Sequence, residues 1–228
     1  MNQATYNLLE RHMLGLMRDS AHDRLHVYRV LYLALDIAAT ETNIDNDILI
    51  AACLLHDIGR QRQFENPALD HAMEGGNMTF DFLIRNGWPQ EDAEHTRRCI
   101  VSHRFRTDRQ PESIEAKILF DADKLDVTGA LGIARTILYK GQVNEPLYSV
   151  DEHMNMLDGT ECEPHSFLEE YRHKLSTLYD RFYTKRGSEI AARRQAAAVS
   201  FYENLLDELR STHEIGAEQL ARLITAQS

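Results

Sequence analysis

The chain has 228 residues, 43% of them hydrophobic, enough for one large domain whose core needs no disulfide or metal staple. Its formal charge of −11 excludes general nucleic-acid binding, because a phosphate backbone demands net or clustered positive charge. Cys53, Cys99 and Cys162 are odd in number and form no CxxC pair, so neither a disulfide framework nor a thiolate zinc site is expected, and the chain reads as cytoplasmic.

The opening MNQATYNLLERHMLGLMRDS carries Glu10, Arg11 and Arg18 among its apolar residues, unlike a secretory signal. No run approaches the ~18 apolar residues of a membrane span. Helical periodicity then dominates. It predicts helices over 3–18, 22–40, 46–58, 70–86, 90–104, 112–123, 126–140, 166–183 and 188–211, with a short terminal one at 216–226: an all-α helical bundle. The five prolines, at 67, 89, 111, 146 and 164, fall in connections, and Gly59 and Gly141 occupy helix C-terminal positions. The polar, aperiodic stretch 141–166 is expected to separate a helical body, 1–140, from a C-terminal part, 141–228. It would serve as connection or lid, with both parts in one structural domain.

In the second predicted helix, Leu25, Val30, Leu33 and Ile37 fall roughly on one side, and His26 shares that stripe. Alone, such a histidine would be an ordinary hydrogen-bonded core residue. The third helix ends AACLLHDIGR, an apolar run that terminates in His56 and Asp57 just before Gly59. The run anchors that turn in the core and so fixes the geometry of two ligand-type side chains. ILFDADKLDVTG, 118–129, then places Asp121, Asp123 and Asp126 in a segment that should pack inside, where carboxylates are costly unless paired or bound to a cation. His26, His56, Asp57 and Asp123 together form a mixed imidazole–carboxylate set. It suits a divalent cation: manganese, iron, nickel, cobalt, zinc or magnesium.

The order His26, His56-Asp57, Asp123, with the flanks AHDRLHVYRV, LLHDIGR and DADKLDVTGALGIAR, resembles the HD-domain superfamily of metal-dependent phosphohydrolases, in particular its small bacterial hydrolases. The resemblance covers 22–140 and extends more loosely to 166–211. It implies a helical HD fold in which these four residues bind one divalent metal. It also implies that His71 and His103, between the HD pair and Asp123, hold a second metal or line the site. The neighbouring His22-Asp23 pair is read as a helix start, with Asp23 a candidate hydrogen-bond partner of a ligand imidazole.

Phosphate cleavage also needs cations aimed at developing negative charge. Arg60 and Arg62 follow the HD turn, Arg104, Arg106 and Arg109 follow His103, and Lys124 follows Asp123. Arg60, Arg104 and Lys124 are the chosen phosphate-binding residues. Asp57, which can ligate and orient water, is the chosen catalytic residue, assisted by Arg60 and Lys124. No GxGxxG, GxxxxGK[ST] or GxSxG motif offers a competing chemistry. The basic start of the last helix, Lys185, Arg186, Arg193 and Arg194, gives way to Glu203, Asp207 and Glu208, and reads as a packed amphipathic helix rather than a nucleic-acid helix. The expected partner is a small phosphorylated substrate, nucleotide-like, with no membrane, and the long C-terminal helices permit a homodimer. The alternatives are a dinuclear-iron oxygenase with HD-type ligands and a non-catalytic, metal-stabilised regulatory module.

Overall fold

The computed structural model describes residues 1–17, 24–104, 109–161 and 165–225. Arg18, His22, Asp23, Arg106, Cys162 and Pro164, weighed above, lie outside the described residues. The all-α expectation holds, apart from one small hairpin. No described helix is long and apolar enough to cross a membrane.

Short polar side chains start most of the early helices. Asn2 accepts from the Thr5 amide to open α1 (Gln3–Leu16), and Asp45 accepts from the Asp47 and Ile48 amides to open α3 (Asn46–Leu55). Asp70 caps α5 (His71–Arg85) through the Ala72 amide, and Ser113 caps α7 (Ile114–Leu125) through the Ala116 amide. Pro89 leads into α6 (Gln90–Val101). From Ile48 to Leu55, only Ile50 of α3 is not fully buried, the pattern of a helix enclosed on all sides. It packs against α1, α2 (Arg24–Ala38), α6 and α7, which makes it the axis of the first compact unit, Met1–Asp126 with Phe182–Ile190.

The second unit comprises Val127–Arg181 and Ala191–Ser228. The division falls at Asp126, before α8 (Gly129–Gln142). Its core gathers Ile133, Phe167, Leu168, Tyr171, Leu175, Leu178, Ala198 and Leu206, with Tyr171 stacked on Tyr202 at 4.3 Å. The aperiodic stretch holds a two-stranded antiparallel hairpin, β1 (Ser149–Val150) and β2 (Met156–Leu157). The Asp151 carboxylate shapes its turn by accepting from the His153 and Asn155 amides.

Three helices differ from expectation for physical reasons. The helix expected over 166–183 stops at His173 as α9 (Phe167–His173), followed by a 3₁₀ turn at Leu175–Thr177. Farther on, the amides of Tyr183 and Thr184 donate to the Asp121 carboxylate instead of to a helical carbonyl. The two helices expected over 188–211 and 216–226 are one, α10 (Lys185–Thr225), because Gly216 costs a helix only ~1 kcal/mol and meets nothing that would bend it. The third is α4 (Arg60–Glu65), too short to announce itself by periodicity.

Candidate metal centre

The first unit brings six side chains to one buried place. His26 comes from the first turn of α2, His56 and Asp57 from the turn that closes α3, and Asp123 from the last turn of α7. His71 opens α5, and His103 follows α6. Gly59 makes the approach of His71 feasible: a Cβ there would collide with the His71 carbonyl oxygen and the Gly75 amide. The HD turn therefore lies directly on the start of α5.

Each histidine is pinned through the same ring atom. Nδ1 of His26 donates to Asp126 Oδ2 (2.7 Å), that of His56 to the Cys53 carbonyl (2.8 Å), that of His71 to Gln63 Oε1 (2.5 Å) and that of His103 to the Ile100 carbonyl (2.6 Å). An acceptor at Nδ1 puts the proton there and leaves Nε2 with its lone pair, the tautomer a metal requires. The Nε2 atoms converge on the carboxylates. His26 Nε2 lies 3.5 Å from Asp57 Oδ2 and 3.5 Å from Asp123 Oδ1, and His56 Nε2 lies 3.6 and 3.9 Å from the same two oxygens. The other oxygen, Asp57 Oδ1, lies 3.7 Å from Nε2 of both His71 and His103. Asp57 thus stands between two groups, His26–His56–Asp123 and His71–His103, with one oxygen toward each.

These residues fit divalent cations on three observations. Ligands on one ion at about 2.0–2.2 Å lie roughly 3–4 Å from each other, the spacing seen here. Nε2 of His26 and of His56 are 3.3 Å apart, and two lone pairs at that distance need a proton or a metal between them. Asp57 Oδ1 and His71 Nε2 are buried with no hydrogen-bond partner, a state that costs about 1–3 kcal/mol per atom unless something binds there.

The HD domain family model matches residues 25–128, a span containing all six side chains. Bacillus subtilis YpgQ, an uncharacterized protein, is 31% identical over 190 residues, covering 82% of this chain and 83% of its own. The chain belongs to the HD-domain superfamily. Among solved structures, this HD-domain protein is similar to B. subtilis YpgQ in complex with ADP (28% identity, TM-score 0.68, 89% of this chain and 97% of that one). It is also similar to an HD-superfamily hydrolase from Bacillus thuringiensis (26% identity, TM-score 0.65, 91% and 95%).

Burial and charge set the histidines of this HD-domain protein apart. Burial alone lowers His26, but hydrogen bonds to Asp123, Asp126 and Asp57 outweigh it and hold the imidazole up at about 10. Burial, with Arg60 beside it, pushes His71 down to about 2, and burial with His56 pushes His103 to about 4. Burial opposes ionisation of Asp57 and Asp123, yet Arg60 and Lys124 respectively, with the neighbouring histidines, keep both well below the usual carboxylate range.

The expected cations are distributed around this centre. Arg60 Nε donates to Asp57 Oδ2 at 2.5 Å, and its two terminal nitrogens find no acceptor among the described residues. Lys124 Nζ holds Asp123 Oδ2 at 2.8 Å, leaving Oδ1 for the histidines. Arg104 lies farther out, 3.5 Å from Asp70, the cap of α5 beside His71, and Arg109 pairs with the same carboxylate. Arg62 turns to Glu74, and Arg186 to Asp36.

Two supporting residues escaped the sequence reading. Asp126 is a described carboxylate that orients a ligand-type imidazole, and it also takes Arg29 at 2.7 Å; Asp23 lies outside the described residues. Its signal was present in DADKLD, where each of three acids in an inward-packing segment needs a cause: Asp123 faces the histidines, Asp126 supports one, and Asp121 anchors residues 183–184. Gln63 had no signal, because α4 was not foreseen. His95 pairs with the buried Glu115 at 3.2 Å.

Proposed function

We propose that this chain is a metal-dependent phosphohydrolase that cleaves a phosphoester or phosphoanhydride of a nucleotide-like substrate. The observation that carries this reading is Asp57, whose two oxygens face separate imidazole pairs while Arg60 is tethered to one of them. His26, His56, Asp57 and Asp123 would hold one divalent ion; Asp57, His71 and His103 would hold a second. A divalent cation bound there supplies Lewis acidity toward water and a phosphoryl oxygen.

The chain's own residues supply the rest. Asp57 would position the attacking water beside its ligating oxygens. Arg60, with Nε anchored, offers its free terminal nitrogens to two phosphate oxygens in the forked geometry that arginine favours. Lys124 adds a point charge beside Asp123, and Arg104 extends the positive edge past His71. The ADP complex of YpgQ supports a nucleotide as the substrate class.

The second imidazole pair would equally serve a dinuclear-iron oxygenase, and the placement of Arg60, Lys124 and Arg104 favours phosphate chemistry over it. A screen of nucleotides and phosphate esters with manganese, cobalt or magnesium tests the reading by phosphate or pyrophosphate release. Release that disappears with a chelator is expected. Oxygen uptake by the iron-loaded chain without any phosphate release would contradict it.

A further inference from the structure

Phe64 stands 81% exposed, the most exposed large apolar side chain among the described residues. It adds nothing to the core, for no residue of α4 is buried. The rest of that helix is committed to the site and its wall. Arg60 holds Asp57, Gln63 holds His71, and Arg62 reaches Glu74. Helical geometry puts Phe64 about 40° around from Arg60 and about 6 Å farther along the same edge. The residues beside it in the chain, Gln63 and Glu65, are polar.

An exposed aromatic face one helical turn from an anchored arginine suits a ligand with a phosphate at one end and a flat ring at the other. We infer that Phe64 is a stacking platform for the base of a nucleotide whose phosphates lie against Arg60, an inference that rests on the phosphohydrolase reading. Stacking is tolerant of base identity, because every base presents a π-face. The subsite would therefore select nucleotides as a class over inorganic pyrophosphate and sugar phosphates, with little choice among bases.

Equilibrium binding of ADP and of inorganic pyrophosphate, measured calorimetrically with manganese present, tests this on the full chain, its F64A variant and its F64W variant. F64A should weaken ADP roughly tenfold, the size of one base–aromatic stack, and leave pyrophosphate within about twofold. F64W should restore ADP binding and show fluorescence quenching by ADP beyond that of the parent, whose single tryptophan is Trp88. Unchanged ADP affinity in F64A would overturn the subsite alone, as would equal weakening of both ligands. A parent chain that binds neither ligand would overturn the phosphohydrolase reading and the subsite with it.

Discussion

The two groups that meet at Asp57 use the same imidazoles on different supports. His26, His56 and Asp123 are held by the long helices α2, α3 and α7. Two of the three have charged outer partners, Asp126 with Arg29 behind His26 and Lys124 behind Asp123, while His56 rests on the Cys53 carbonyl. His71 and His103 sit at the ends of α5 and α6, backed by a neutral amide and a peptide carbonyl, and Asp57 Oδ1 is the anionic atom they share. Carboxylates consequently hold His26 up at about 10, whereas burial lowers His56 and pushes His71 and His103 down to about 2 and 4. A cation gains more from the first group, which brings a carboxylate of its own and a histidine made more basic by Asp126. The second group should bind its ion weakly and only together with Asp57.

Removing the shared residue has the largest expected effect. Asp57→Ala should abolish metal-dependent phosphate release to the detection limit while circular dichroism stays helical; measurable turnover would remove Asp57 from its assigned role. Separating the groups comes next. His26→Ala should lose the tight ion and activity together, whereas His71→Ala should keep one equivalent of tightly bound metal, as elemental analysis would count. Equal metal loss in both variants would erase the distinction drawn here. Smaller still is the loss of support. Asp126→Asn keeps the volume and removes the charge behind His26, so tight-site affinity should fall roughly 10–100-fold; Gln63→Leu should weaken only the second ion.

The subtlest effect is on stability in chelator. His71 and His103 stay neutral in the fold where an unfolded histidine would protonate near 6.5. Stability they contribute above that pH is lost as pH falls toward about 4, at about 1.4 kcal/mol per pH unit for each proton that only the unfolded chain binds. His26 has the opposite sign: its contribution is complete below about 6.5 and disappears as pH rises through about 10. Urea midpoints from pH 7 to 4.5 should therefore fall with a slope that His103→Asn reduces and that a change at His26 does not.

Much of this centre was legible because metal ligands need particular residue types in buried contexts. His56-Asp57 stood out at the end of an apolar run, and Asp123 stood out as an acid among Ile118, Leu119 and Leu125. His71 and His103 stood out by their place between the HD pair and Asp123, but the approach of His71 to Asp57 Oδ1 depends on Gly59 lying on α5, a contact without sequence periodicity. Gln63 and Phe64 were missed with α4, whose six residues are too few to show a helical repeat. The start of α10 was misplaced because Asp121, some sixty residues away in the chain, captures the amides of Tyr183 and Thr184 just before it. Local pattern predicts where a helix can form; a distant carboxylate holds the residues from which this one starts.

Manganese titration by equilibrium dialysis, comparing the parent chain with Asp57→Ala, probes the shared carboxylate most directly. Two classes of bound ion, one tight and one weak, are expected in the parent, with the weak class gone and the tight class severely weakened in the variant. Two undiminished sites in Asp57→Ala would show that this aspartate joins nothing.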